Sequence, residues 1–329
     1  MYIEKIHIKQ LGELNSNQIF SSSLWLNIYD DSSVFLFGIF NKNNELIGFF
    51  YYQKHQRAKV FTHISPPFLS PTCGLYIKEE SSNPAKKNSF LKKVNELISN
   101  HLSQEKFDIL TLPFPEKYTD MQSYLWAGFD VSPRYTYQLD LSLTEEELLS
   151  LMSSERRGNI NKSIKNKLVV KESLGDFDSQ KLIEQTFTNQ GLWYDKTVLN
   201  NVFIQFTESV NAIAYSTYEG ENLLATVFCV RDEDKAYYIL GGFDSESNHS
   251  GAGAFAMWHA IKKAKEEGIS IFDFDTVAGT TISFDTNTDS FTFAFGYHAG
   301  NLVLTEEGAN LRIAIGGSSV LLTLVSISD

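Results

Sequence analysis

Apolar residues along the chain alternate between two spacings, and the same succession of spacings occurs twice. In the first half, strand-like patterns cover residues 2–8, 34–40, 45–54 and 59–64, with the polar turn 41–44 joining the middle pair. Helical spacing predicts helices over 17–28 around Trp25, over 89–103, and over 118–128 with Trp126 near the end. In the second of these, Phe90, Leu91, Val94, Leu97 and Ile98 share one side. Strands at 107–112 and 135–141 follow. The Pro-rich stretch 65–74 cannot continue a sheet ladder, and the polar stretch 79–88 interrupts the pattern.

The second half repeats the order. A charged helix is predicted over 142–166, opened by Thr144 and Glu147 as a capping box. A strand at 168–172 and helices at 179–190 and 195–210 come next, the helices separated by Gly191, Leu192, Trp193 and Tyr194. Three strands, 212–218, 222–231 and 235–241, turn back sharply at 219–221 and 232–234. A small-residue turn then opens a helix that runs to Glu267, where Gly268 stops it, and a short strand covers 269–275. Within that helix Phe255, Trp258, Ile261 and Ala264 form the apolar side, and Lys262, Lys263, Lys265, Glu266 and Glu267 the solvated one. Both long helices lead into a strand, as a duplicated unit of about 150 residues would require. The order predicts an α/β fold in two domains, 1–141 and 142–329.

Length supports more than one domain, since 329 residues exceed what one core usually holds. A net charge of −12 excludes a general nucleic-acid-coating surface, and DNA as a partner, while leaving room for one local basic patch. Two cysteines, far apart in apolar segments, supply neither a disulfide framework nor a metal site, so no metal is expected and the compartment is reducing. The first residues lack a continuous apolar segment, and no run approaches the ~18 apolar residues of a membrane span. The expected location is cytoplasmic.

The turn before the second long helix concentrates the candidate chemistry. Asn248, His249, Ser250, Gly251, Ala252, Gly253 and Ala254 place small residues at a helix N-terminus, where converging N–H groups and partial positive charge suit phosphate or pyrophosphate. The one strongly basic segment, 153–166, contributes Arg156, Arg157, Asn159, Lys162 and Lys165. Its two readings are a grip on an anionic substrate and a solvated helix face. Asp273 and Asp275 alternate with Phe272 and Phe274, which sends both carboxylates to the face away from the rings. One of them takes a proton from an amine, or both only cap the following turn. Trp193 and Tyr194 are candidates for stacking on a base or sugar, with core packing the stronger reading for Trp193. His249 and His298 sit in turns, and no nucleophile elbow or triad spacing occurs.

Asn248-His249-Ser250-Gly251-Ala252-Gly253 resembles the pyrophosphate loop of GNAT N-acyltransferases, Arg/Gln-x-x-Gly-x-Gly/Ala, with Asn248 at the Arg/Gln position. GAGAFAMWHAI followed by FDFD is more similar to the Fem-like branch, whose members carry two GNAT-type domains and include aminoacyl-tRNA-dependent ligases of bacterial cell-wall bridges. Arg157 followed by Lys162 resembles that branch's Arg before an Ile-x-Lys helix. The resemblance implies two tandem acyl-CoA N-acyltransferase-type domains, each a mixed, mostly antiparallel sheet flanked by helices, with the donor loop at 248–254. It implies transfer of an acyl group from acyl-CoA to a small-molecule amine. The alternatives are a Fem-type transferase using aminoacyl-tRNA on a peptidoglycan precursor, and a non-catalytic degenerate GNAT pair holding a nucleotide-linked ligand. The acidic balance favours the smaller CoA donor over tRNA, while Asn248 pulls the other way. The pattern departs at 291–296, where Phe291, Phe295 and Gly296 match but Thr292 stands where a basic residue is expected. The apolar tail 311–327 reads as a closing strand pair around Gly316 and Gly317.

Overall fold

The computed structural model describes residues 1–12, 14, 16–57, 61–78, 81–276 and 318–327, with backbone alone at 57, 133–135, 275–276 and 318–327. The second-half matches at 291–298 and around Gly316 therefore lie outside the described residues. The chain divides into two compact units, Met1–Arg134 with Val320–Asp329, and Tyr135–Ser319. The division falls before the predicted 141/142 boundary, and the end of the chain belongs with the first unit.

In the first unit the strands are β1 (Tyr2–Lys5), β2 (Phe35–Phe40), β3 (Leu46–Arg57), β4 (Phe61–Ser65), β5 (Tyr76–Ile77) and β6 (Ile109–Pro113). They line up as β1-β2-β3-β4-β6, with β5 on the first part of β3 and a further strand, β13 (Ser318–Ile327), antiparallel to β6. Among the described residues of this unit only β4 and β6 pair in parallel, at His63↔Ile109 and Ile64↔Leu110. The predicted helix over 17–28 is only a short 3-10 turn (Ile19–Ser21) and one turn of α-helix, α1 (Ser23–Leu26). Trp25 and Leu26 are fully buried there, so packing and not helix length secures the segment.

Helix α2 (Pro84–Gln104) begins five residues before the predicted start. The last part of the polar stretch, 84–88, is the helix's first turn: Asn83 accepts from the N–H groups of Ala85 and Lys86, and Pro84 occupies a position where its missing N–H costs nothing. Val94, Ile98 and Leu102 of α2 are buried against Phe50, Ile64, Leu110 and Leu112 of the sheet. Helix α3 (Gln122–Trp126) is shorter than predicted, and Trp126 is exposed.

The second unit takes its edge strand from the end of the first half of the sequence. Strand β7 (Asp130–Asp140), β8 (Val169–Glu172), β9 (Ala212–Glu219), β10 (Asn222–Arg231), β11 (Lys235–Phe243) and β12 (Ile271–Thr276) lie in the order β7-β12-β11-β10-β9-β8. All neighbours are antiparallel except β11 and β12. The predicted helix over 142–166 is two: α4 (Glu145–Leu151), opened by the Thr144–Glu147 capping box, and α5 (Ser154–Lys165), capped afresh by Ser153. Helices α6 (Phe177–Asn189) and α7 (Lys196–Phe206) follow, then α8 (Ala252–Glu266).

Helix α8 packs on β9 and β10 with α5 beside it, burying Phe255, Trp258, Ile261 and Ala264 as the apolar spacing predicts. Helix α6 packs on β10 and β11. Phe203 and Phe206 of α7 close on Phe228 of β10, ring centroids 5.1 and 6.4 Å apart. Each such large apolar side chain taken from water contributes about 1.5–3 kcal/mol. Among the described residues no helix is long and apolar enough to cross a membrane.

Candidate functional site

The turn into α8 uses its two glycines differently. At Gly251, which caps the helix without a side chain, an added Cβ would lie 2.5 Å from the Asn159 carbonyl and 2.8 Å from Ser163 Oγ. Gly251 is therefore where α5 presses on the turn. At Gly253 an added Cβ meets nothing within 4 Å, so the backbone there is open to an approaching molecule. The Thr217 hydroxyl donates to the Ala252 carbonyl at 2.9 Å, and Ala252 and Ala254 are buried, which pins the helix start to β9.

His249 is held from both sides. Asn166 Nδ2 lies 3.3 Å from His249 Nδ1, and His249 Nε2 lies 3.0 Å from Glu219 Oε1. With the amide donating to Nδ1, the ring proton sits on Nε2 and goes to Glu219. The imidazole thereby fastens the turn to the ends of α5 and β9. Beside it opens a cavity of about 400 Å³ whose lining includes Asn248, Ser247, Asn222 and three carboxylates, Glu219, Asp244 and Glu246. Those carboxylates repel a polyanion on that side of the turn.

The strands flanking α8 part company. β11 and β12 pair only at Lys235↔Ile271, Ala236↔Phe272 and Tyr237↔Asp273, while β12 goes on to meet β7 at Thr276↔Thr136. Among the described residues the β12-side edge of β11 from Tyr238 to Phe243 has no strand partner, because β12 has turned away. Two glycines mark that edge: Tyr238 lies over Gly241, and Gly242 lets the α6 backbone approach, since a Cβ there would lie 2.8 Å from Ile183 N. Burial pushes the Tyr238 phenol well above its ordinary value.

Asp273 stands at the last register pair before the strands separate. It is buried, and both carboxylate oxygens are engaged: Thr136 Oγ1 donates to Oδ1, and Gln138 Nε2 donates to Oδ2 at 2.8 Å. Phe272 and Phe274 point to the core with centroids 5.1 Å apart. The side chain of Asp275 lies outside the described residues. Thr136, Gln138 and Tyr238 went unnoticed in the sequence because strand register brings them to Asp273 and the gap; the Gly241-Gly242 pair was the one local signal.

The basic helix is partly committed to its own fold. Arg157 Nη1 donates to the carbonyls of Ser150 at 3.1 Å and of Met152, orphan acceptors in the last turn and at the C-cap of α4. Arg156 is half-buried, and that burial lowers its pKa below the ordinary guanidinium range. Asn159 faces Gly251 with its carbonyl, which also accepts from Ser163 Oγ at 3.0 Å. Lys162 and Lys165 are exposed. Trp193 is 69% exposed, contrary to the core packing expected of it, because the chain leaves α6 through Gly191 in the left-handed conformation and turns outward. Tyr194 stacks on Phe187 with centroids 5.2 Å apart.

An open-edged strand, a diverging parallel neighbour and a glycine turn into a helix between them are the arrangement of a GNAT-type fold. Residues 193–281 match the family model described as acetyltransferase (GNAT) domain. No curated protein sequence matches the chain. Among solved structures, FemX is 14% identical at a TM-score of 0.59, over 91% of this chain and 94% of that one. The C-terminal domain of a lysylphosphatidylglycerol synthetase from Agrobacterium fabrum is 10% identical at 0.58, over 97% and 90%. A conserved protein of unknown function from Bacteroides thetaiotaomicron is 10% identical at 0.57, over 99% of each chain. At such identities the likeness is one of fold, that of a Fem-like pair of GNAT-type units.

Proposed function

We propose that the protein is an N-acyltransferase that moves an acyl group from acyl-CoA onto an amine, in the second unit. The observation that carries this is the β11 edge from Tyr238 to Phe243, which β12 has turned away from and which has no strand partner among the described residues. An extended donor arm carrying amides pairs with such an edge as an added strand does. Its thioester then comes to the apex near Tyr237 and Asp273, and its phosphates run toward the bare backbone of Gly253. The amine nitrogen attacks the thioester carbon, the carbon–sulfur bond breaks, and the nitrogen's proton leaves for the thiolate. Asp273, with Thr136 and Gln138, orients the amine or a water that relays that proton.

The carboxylates beside His249 favour a second reading. A donor whose phosphates rest on α5 instead, at Lys162 and Lys165, suits an aminoacyl ester on tRNA, with a cell-wall precursor amine as acceptor. Calorimetric titration with acetyl-CoA and longer acyl-CoAs distinguishes the two. Saturable binding with turnover on an amine panel is expected. Binding of no acyl-CoA, with a response to charged tRNA, reverses the donor; binding without turnover makes the protein a ligand-holding module.

A further inference from the structure

The first unit has a hollow that acyl transfer in the second does not use. Ile77, Phe90 and Leu91 wall a cavity of about 160 Å³ at the opening of α2, and Lys78, Lys86 and Lys87 rim it. A shallower hollow of about 340 Å³ shares Lys86 and Phe90 and adds Lys93. The apolar walls and the cations occupy the same few turns of chain.

The charge there is not the helix terminus at work. The Asn83 side chain already takes the N–H groups of Ala85 and Lys86. Side chains supply the positive field, and among the described residues Lys78, Lys86 and Lys93 make no ion pair. Between 78 and 93 the sequence carries Lys78, Lys86, Lys87, Lys92 and Lys93 against Glu79 and Glu80, within a protein of net charge −12. Like charges gathered around an apolar recess repel one another, and they are relieved by an anion whose remainder is apolar. A flat bilayer surface does not enter a recess of this size; the end of a single chain does, its remainder lying along the shallower hollow beside Phe90.

We propose that this recess binds a single-chain amphiphile with an anionic head, the chain against Phe90, Leu91 and Ile77 and the head among Lys78, Lys86 and Lys87. The site is independent of the acyl-transfer reading. Calorimetry with decyl phosphate, kept below its micelle-forming concentration, tests it on the full chain. One-to-one binding is expected. It should weaken about tenfold in a Lys86→Ala/Lys87→Ala double variant, as loss of charge-assisted contacts implies. It should fall likewise in Lys78→Ala, and stay unchanged in Lys181→Ala on α6 of the second unit. Inorganic phosphate and decyl maltoside should each bind at least tenfold more weakly. Equal affinity in the lysine variants with unaltered melting overturns the proposal. So does inorganic phosphate or decyl maltoside binding as tightly, or binding seen only with phosphatidylglycerol vesicles.

Discussion

Each unit places a long helix between two parallel strands, β4 and β6 around α2 in the first and β11 and β12 around α8 in the second. The chain between strand and helix differs. In the second unit, residues 244–251 turn directly into the helix, and the strand before them has a free edge. In the first, residues 66–83 cross with three prolines, detour through β5, and end in a side-chain cap on α2. Polar groups follow the same division. In the first unit Glu105, just past α2, accepts from Tyr52 at 2.8 Å and pairs with Lys54 at 2.5 Å, all within the fold. In the second the backbone at Gly253 and the β11 edge have no such internal partner among the described residues. Repetition of a fold thus preserves the order of elements, while a binding site depends on which backbone groups are left unmatched.

The largest effect should come from breaking the first unit's cluster. Lys54→Met leaves the half-buried Glu105 carboxylate with Tyr52 and the His101 ring and no full cation, which costs about 2–3 kcal/mol by thermal or urea unfolding at pH 7. Burial pushes the Glu105 carboxyl up, but the Lys54 and Tyr52 hydrogen bonds and the Lys54 charge outweigh it and hold it below its ordinary value. A lowered carboxyl stabilises at neutral pH, and that stability is lost as pH falls below about 4. Burial also lowers His101, so protonating it opposes folding as pH drops below about 6.5. Both act in the same direction. The gap between wild type and Lys54→Met should therefore narrow between pH 7 and pH 3, and a gap that widens would contradict the assignment. Acyl-donor affinity at pH 7 should be unchanged.

The glycines of the second unit sharpen the contrast. Gly251→Ala forces the α5 backbone to move and should destabilise by about 1–3 kcal/mol. Gly253→Ala meets no protein atom within 4 Å and exchanges glycine for the best helix former, a gain of up to about 1 kcal/mol. Its effect belongs to the donor: affinity should drop about tenfold if a phosphate lies against that backbone. Unaltered donor affinity with raised stability would move the phosphates elsewhere.

How far the sequence was legible follows from where each signal resides. The burial of Phe255, Trp258, Ile261 and Ala264 was readable because a helix's own periodicity carries it. The start of α2 was missed because Asn83-Pro84 resembles a break and works as a cap followed by the first helical residue. The split of 142–166 hid in Met152-Ser153, where a serine that interrupts one helix caps the next. Strand register was not readable at all. The partners of Asp273, the free edge of β11 and the pairing of β13 with β6 depend on residues more than a hundred positions apart. The glycine turn stood out as a motif, yet only packing separates Gly251, pressed by α5, from Gly253, which is open.

Arg157 tests whether the second unit's basic helix is a binding feature or a brace. Its contacts with the carbonyls at the end of α4 make Arg157→Ala destabilising by about 1–2 kcal/mol, with Arg157→Lys recovering only part because an ammonium lacks the planar fork. Donor affinity should change little once the variants are compared well below their melting temperatures. Weakened binding without loss of stability would return Arg157 to the substrate.

The smallest effect is expected at Lys162, and it decides between the two donors. The side chain is exposed on α5 and makes no ion pair among the described residues. Screened at physiological salt, one such charge changes affinity for a small donor by less than about threefold, because its Debye length of about 8 Å leaves little long-range pull. Acyl-CoA binding should therefore be nearly the same in Lys162→Ala at 50 and 200 mM salt. A tRNA donor gives a different result, since each neutralised phosphate releases a counterion. The slope of log affinity against log salt would then flatten by about 0.7 to 0.9 in Lys162→Ala, and the loss would be greatest at low salt. Measuring both ligands across that salt range separates the outcomes without relying on turnover. A flattened slope with tRNA and no acyl-CoA binding would place the donor's phosphates on α5 and leave the turn at Gly253 a packing feature, making it as self-contained as the first unit's crossing.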